Sequence, residues 1–236
     1  MTSKLAALAF AAAIAFPAVA GAADMPPPRV IVLGEGESAI APDMALLSLS
    51  VMREAGTARA ALDANNDAMA AVIAAMKAAG VADRDLQTAG IQINPRYDYT
   101  NRPDGTQEAK LVAYQVTNTL SVRVRDLAST GEIIDKAVSL GVNQGGGISF
   151  TNEDPSAVLK EARKRAVADA MDKAKTLAEA AGVSLGRVIE ISEQSYNQPP
   201  MPYMAKALPQ EDAASVPIAA GENAYKVQVN VTFELR

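Results

Sequence analysis

The side chains that most often carry out catalysis or bind transition metals are missing, because the 236-residue chain has no histidine and no cysteine. This excludes Ser-His and Cys-His nucleophile systems, and also zinc sites built from thiolates or imidazoles. Paired carboxylates, or a lysine that activates a serine, would remain for catalysis. The carboxylates, however, fall at positions typical of helix caps and surface salt bridges, and no Ser-x-x-Lys motif occurs. The sequence therefore predicts that the protein is not an enzyme and needs no cofactor.

Three small groups of side chains could hold a ligand, and each has a simpler interpretation. Met201 and Met204 would offer two thioethers to Cu(I), but two ligands are too few for a tight site and an apolar loop tip is favoured. Glu153-Asp154 could join an oxygen-donor metal site, yet helix capping explains both residues. Arg123 and Arg125 could bind an anion, although arginines on a strand more often keep an edge soluble. We therefore predict no metal site, with the two methionines as weak candidates.

The bulk composition argues against nucleic acid as a partner and for export. A net charge of −5 repels phosphate backbones, and aromatic residues make up only 4% of the chain, with no tryptophan. Residues 1–22 have the lysine, the short apolar run and the small residues of a signal peptide, with cleavage after Ala20 or Ala22. No other segment is long and apolar enough to span a bilayer. The mature chain is therefore expected to be exported and to lack a transmembrane segment.

The longest predicted helix starts after Asp154-Pro155 and ends at Gly182. Proline is favoured at the first helical position, and the aspartate before it can cap free N–H groups. On one side of the helix, acids precede bases by four residues, as in the pair Asp169 and Lys173. On the other side small residues recur every fourth position: Ala162, Ala166, Ala170, Ala174 and Ala178. This alanine stripe would let another backbone approach closely, either the protein's own sheet or a neighbouring subunit.

A second long helix is predicted over residues 58–79, after a cap at Thr57. Its core stripe is predicted to contain Met69 and Met76, together with Leu62 and Ile73. Asn66 falls in the same stripe, where a hydrogen bond to backbone is more plausible than a role in ligand binding.

Alternating apolar residues predict strands before, between and after the helices. A strand ending before Pro95 leads into a polar hairpin excursion over residues 96–110. Gly34-Glu35-Gly36 lacks the third glycine and the following helix of a nucleotide-binding turn, so a bulge or turn is predicted there. A shorter helix, 127–140, and the glycines 145–147 lie before the longest helix.

The elements follow one another in an order close to ββαββαβαββ. This order predicts an α+β fold in which long helices pack on twisted, mainly antiparallel sheets. Residues 23–236 would form one domain, built as a single unit or as two intimately packed subdomains. A stretch of prolines and small residues at about 194–221 predicts an extended, mobile loop.

Several motifs along the chain, taken together, resemble the SIMPL-domain family of bacterial envelope proteins, and in particular its periplasmic immunogenic members. They include the Asn-Gln-Gly-Gly and Ile-Ser-Phe runs at 143–146 and 148–150, the Glu-Ala-Arg-Lys-Arg-Ala-Val-Ala run at 161–168, and the Leu-Gly-Arg-Val run at 185–188. Further matches lie at 34–36, 42–43, 85–88, 90–91, 122–127, 173–175, 177–178 and 191–193. The resemblance covers nearly all of the predicted mature chain.

The resemblance implies a periplasmic location and self-assembly, because relatives of this kind include ring- or channel-like homo-oligomers. It also implies a role in the cell envelope or in oxidative stress, but no catalytic reaction. The predicted function is therefore that of a non-enzymatic envelope protein that forms a homo-oligomer through its alanine stripe and exposed strand edges. The alternative is a periplasmic module that binds a small ligand or a metal in a pocket between helices and sheet.

Overall fold

A computed structural model of the protein describes residues 27–103, 105–194, 201–203, 216 and 218–236. Within these residues the order of elements is β1 (Arg29–Ile40), β2 (Met44–Ala55), α1 (Ala58–Ala78), β3 (Leu86–Asn101), β4 (Gln107–Val124), α2 (Thr130–Ser139), β5 (Gln144–Thr151), α3 (Ser156–Ala180), β6 (Leu185–Gln194), β7 (Met201–Tyr203) and β8 (Glu222–Leu235). The predicted α+β class and mainly antiparallel sheets are confirmed, with the three-residue β7 as an addition. The predicted signal peptide and most of the predicted 194–221 loop lie outside the described residues.

The first sheet contains β3, β4, β2 and β5 in that spatial order, with every pair antiparallel. Its chain order, β2-α1-β3 followed by β4-α2-β5, is that of a ferredoxin-like βαββαβ unit. Both helices lie on one face, and their apolar side chains form a core with the inward residues of β2 and β4. Alternation along these strands explains why the opposite face is rich in serine and threonine.

The second sheet contains β1, β8 and β6, with β7 also paired to β8, and all pairs are antiparallel. The helix α3 packs on it and forms a separate core with inward residues of β1 and β8. Thus each sheet has its own helices and its own core.

A buried polar cluster joins the two sheets. The Asn152 side chain, after β5, donates to the Ala41 carbonyl at 2.8 Å, between β1 and β2. Its oxygen accepts hydrogen bonds from the Asn223 amide and the Tyr225 hydroxyl of β8, both at 3.0 Å. Burial raises the pKa of the Tyr225 phenol, and the charge of Asp43 raises it further. Tyr225 therefore remains a hydrogen-bond donor at neutral pH.

The buried face of α1 contains the predicted Met69 and Met76, but its other members are Ala61, Asn65 and Val72 in place of Leu62, Asn66 and Ile73. Thr57 caps the helix as predicted, accepting from the Ala60 N–H at 3.2 Å. Asn65 is fully buried, whereas the predicted Asn66 is exposed, and this prediction was wrong. The Asn65 amide donates to the carbonyls of Val51 and Val116 at 2.7 and 3.1 Å. Adjacent residues lie about 100° apart around a helix, and periodicity alone did not decide between Asn65 and Asn66 because alanines flank both sides.

Several element boundaries also differ from the prediction. The strand β3 continues through Pro95 instead of ending before it, because β3 is an edge strand, where a proline costs no ladder bond to a further neighbour. The predicted helix 127–140 is a short 3-10 turn at Leu127–Ser129 followed by α2. The glycines at 145–147 lie within β5, where the register shifts opposite Ser48 and Leu49.

Candidate interaction surfaces

The alanine stripe of α3 lies against β1 of the same chain. Its members are at most 2% exposed: Ala162, Ala166, Ala170, Ala174 and Ala178. A Cβ added at Gly34 would lie 2.0 Å from the Ala166 carbonyl oxygen, and one added at Gly36 would lie 2.1 Å from the Ala162 oxygen. The bulge or turn predicted at these glycines was wrong, because both lie in a regular part of β1. They are required for the close approach of helix and strand, and β1 fills the stripe.

Polar side chains of α3 also cover the free edge of β1. The carbonyl of Leu33 accepts from Lys173 Nζ at 3.0 Å, the N–H of Glu35 donates to Asp169 Oδ2 at 2.8 Å, and the carbonyl of Glu37 accepts from Arg165 at 2.7 Å. These backbone groups point away from β8, where a further strand would bind them. Their hydrogen bonds to α3 therefore block strand addition at this edge.

The first sheet presents a different kind of surface, a long hairpin arm formed by residues 90–101 of β3 and 107–113 of β4. Five apolar or aromatic side chains of this arm are between 42 and 66% exposed: Ile91, Ile93, Tyr97, Tyr99 and Leu111. Alternation keeps the four residues of β3 on one face of the strand. Contiguous exposed apolar side chains of this kind are typical of protein interaction sites.

The exposure of the arm follows from the width of the helix layer. Ile91 and Ile93 lie opposite Asn118 and Val116 of β4, which are buried. At Val116 the sheet is covered by α1, since Asn65 of α1 donates to the Val116 carbonyl. β3 is the edge strand beyond β4. The residues of its arm that lie on the helix side of the sheet are therefore beyond the cover of α1 and exposed to solvent. We call the exposed set Ile91, Ile93, Tyr97, Tyr99 and Leu111 the arm stripe.

The other face of the arm is charged. Arg96 contacts Glu54 at 3.2 Å and Asp98 at 3.5 Å. Near the turn, Arg102 contacts Glu108 at 2.8 Å. Exposed pairs like these contribute little stability, but they keep that face soluble. The arm therefore has one face suited to solvent and one suited to a partner. The sequence predicted only a polar excursion at 96–110, because charged residues of the opposite face stand between the apolar residues along the chain.

Arg125, one of the two arginines considered for anion binding, is already engaged by carboxylates of the protein. Its guanidinium donates to both oxygens of the buried Asp85 at 3.0 and 3.1 Å, and it also contacts Glu153. The hydrogen bond from Arg125 lowers the pKa of the Asp85 carboxyl, although burial opposes it. The same contacts, first with Asp85 and then with Glu153, raise the pKa of Arg125. The cluster ties the turn before β3 to the ends of β4 and β5.

The acidic candidates for a metal site are engaged within the chain, Glu153 with Arg125 and Asp154 at the start of α3. Asp154 accepts from the Ser156 N–H at 2.9 Å, as predicted for a helix cap, and this bond lowers its pKa. Met201 lies in β7, paired with Ala224 of β8, and Met204 lies outside the described residues. Among the described residues there is no group of three or more histidine, cysteine, aspartate or glutamate side chains placed to hold a metal. Nor does any described helix have the length and apolarity needed to cross a membrane.

Comparison with known proteins gives matches over most of the chain. The family model described as SIMPL, protein of unknown function (DUF541), matches residues 30–233. The chain is 55% identical over 217 residues to the 26 kDa periplasmic immunogenic protein of Brucella melitensis, covering 89% of this chain and 86% of the relative. It is 29% identical over 216 residues to the uncharacterized protein YggE of Escherichia coli, with coverages of 88% and 83%. A YggE protein of Edwardsiella ictaluri is 28% identical over 203 residues.

Proposed function

Because this chain belongs to the SIMPL family, we propose that it is a non-enzymatic periplasmic protein that forms a homo-oligomer through its hairpin arm. The periplasmic location is supported by the printed name of the Brucella relative and by the signal-peptide pattern of residues 1–22. The absence of histidine and cysteine from the sequence supports a role without catalysis.

The single observation that carries the assembly proposal is the exposed arm stripe. In the part of the subunit that the structure describes, the hairpin projects beyond its own helix layer and its apolar face stays exposed. A second copy of the same chain supplies an equivalent arm, so two stripes can cover each other in a symmetric contact. The alanine stripe and the β1 edge are already covered by the chain itself, and the proposal does not use them.

The test replaces two residues of the arm stripe with lysine, Ile91→Lys together with Ile93→Lys. Two charges on this face would have to be desolvated in an assembled contact, so we expect the oligomer to dissociate. Because both side chains are already half exposed in the subunit, the fold should be retained. Light scattering measures the mass, and circular dichroism and thermal unfolding check the fold.

A matched control uses Ile31→Lys together with Leu33→Lys in β1. This pair has the same spacing on a strand and similar exposure, 60 and 41% against 53 and 46% for Ile91 and Ile93. The control variant should keep the native mass. A monomeric native chain, or equal dissociation of both variants, would contradict the proposal.

We extend the proposal to a role in the cell envelope under oxidative stress, which the family resemblance implies. If that role depends on assembly, a strain lacking the protein should regain survival in hydrogen peroxide with the native chain or the β1 control. The Ile91→Lys, Ile93→Lys chain should not restore survival, although it is exported and folded. Full restoration by this variant would separate the stress role from the oligomer.

A further inference from the structure

An apolar cavity of about 530 Å³ lies beside α2, on the helix-side face of the first sheet. The buried side chains of Leu47 and Leu49 from β2 form part of its wall. Ile134 and Val138 of α2 line it as well, and Ile148 of β5 faces it. Val216 and Ile218, which precede β8, complete the apolar lining. The cavity exists because α2 has only 10 residues and covers β5 incompletely.

Two glycines of β5, Gly145 and Gly147, contribute to the cavity wall without side chains. Gly145 has a φ of +86°, which side-chain-bearing residues rarely adopt. A Cβ at Gly145 would in addition lie 2.7 Å from the carbonyl oxygen of Ser48. The wall at this point is therefore bare backbone, fixed by the register shift between β2 and β5.

Among the residues that the structure describes, no charged residue contributes to the lining. Two of the described lining residues are polar, Asn143 and Gln144. The Asn143 amide is already used, since it accepts from the Met52 N–H at 2.8 Å and donates to the Met52 carbonyl at 3.0 Å. Gln144, which is exposed, is the second polar residue that borders the cavity.

We propose that this cavity binds an uncharged small molecule with a hydrocarbon body and one hydrogen-bonding end. Its volume falls in the range of about 300 to 1,000 Å³ that is typical of small-molecule sites. An ionised ligand would lose hydration there without gaining a partner of opposite charge among the described lining residues. The hydrocarbon body lies against the leucine, isoleucine and valine side chains, and the polar end lies where Asn143 and Gln144 border the cavity. The site is separate from the arm stripe, so the inference goes beyond the assembly proposal and does not depend on it.

The experiment is a calorimetric titration of the full mature protein with 1-decanol and with decanoate at pH 8. The two probes have the same hydrocarbon length and differ in the charge at one end. We expect saturable binding of decanol and at least tenfold weaker binding of decanoate. Non-saturable uptake of decanol, or equal affinity for the two probes, would overturn the proposal.

The site is located with Val138→Trp, which places an indole at the mouth of the cavity. Val138 is 58% exposed, and its control Met171→Trp is made on α3 at a residue that is 52% exposed. Decanol affinity should fall at least tenfold in the first variant and stay native in the second. Since the native chain has no tryptophan, the emission of each introduced indole also reports ligand contact directly. Equal affinities for the two variants would overturn the assignment.

Two further measurements keep the test independent of folding and assembly. If Val138→Trp fails to fold, Ile148→Trp blocks the same cavity from β5, where the residue is 37% exposed. The Ile91→Lys, Ile93→Lys chain should bind decanol with native affinity, because those residues do not line the cavity. Loss of decanol binding in that chain would place the ligand at the assembly contact and overturn the inference.

Discussion

Replacing Gly34 with alanine tests the close contact between β1 and α3, because it adds one methyl group where the two backbones nearly touch. The new Cβ would lie 2.0 Å from the Ala166 carbonyl oxygen, 2.7 Å from the Ala170 Cβ and 2.9 Å from the Ala170 nitrogen. Two of these three atoms are backbone, so a rotamer change cannot relieve the overlap. The helix must move away from the strand, and the contacts of the alanine stripe with β1 must loosen together.

The expected magnitude comes from two opposing effects. Overpacking of a tight interior typically costs about 1 to 3 kcal/mol, and a clash with backbone belongs at the upper end. Losing a glycine from the unfolded chain stabilises by roughly 0.4 to 1 kcal/mol. The first effect dominates, and we expect a net loss of about 2 kcal/mol in the free energy of unfolding. For a chain of this size that corresponds to a fall of about 4 to 8 °C in Tm.

Thermal unfolding followed by circular dichroism measures the effect, with Gly90→Ala as the matched control. Gly90 also lies in a strand, but an added Cβ there meets nothing within 4 Å. The control should therefore be neutral or slightly stabilising. Adding Ala170→Gly to Gly34→Ala should restore little stability, since the nearest atom belongs to the Ala166 backbone. If Gly34→Ala is as stable as the control, α3 does not approach β1 as closely as described.

Two further perturbations address buried polar groups of the first sheet. The lowered pKa of Asp85 means that its bond to Arg125 stabilises the fold above the unfolded pKa of about 3.9, and that this contribution is lost as pH falls through the lower folded pKa. Asp85→Asn should thus lower stability at pH 7, and denaturant titrations should show the difference from the native chain shrinking below about pH 4; a difference independent of pH would contradict the ion pair. Asn65→Ala should cost about 1 to 3 kcal/mol in urea unfolding, because the buried carbonyls of Val51 and Val116 lose their donor. A cost near zero would mean that water replaces the amide.

The periodicity of apolar residues and the helix-capping residues were enough to predict most of the fold. The strict alternation of β8 and the four-residue repeat of α3 led to the right elements because each pattern fits only one regular structure. Proline at 95 misled the prediction, since its effect depends on whether β3 has one neighbour or two. Asn65 and Asn66 are adjacent and have the same side chain. Which of them is buried depends on which side of α1 packs on the sheet.

The surfaces were harder to predict than the elements. Gly34 and Gly36, two residues apart on a strand, match a helix that carries alanine at every fourth position, and this pairing was a usable signal that the helix packs on that strand. No comparable signal marks the arm stripe, because its exposure depends on how far α1 extends across the sheet. The cavity likewise depends on the short length of α2 and on the two residues 216 and 218, far along the chain.

The position of β8 in the middle of the second sheet has a consequence for how the protein folds after synthesis. β8 separates β1 from β6, and its pairing with β1 joins residues 193 positions apart. The strands β2 to β5 are consecutive in the chain, so their sheet can form before β8 pairs with β1. Closing so long a loop is slow, and until it closes β1 lacks the partner that covers its inner edge. Pairing of the 14-residue strand β8 is therefore the step that completes the second sheet. Before this pairing forms, the inner edge of β1 is open to pairing with other chains.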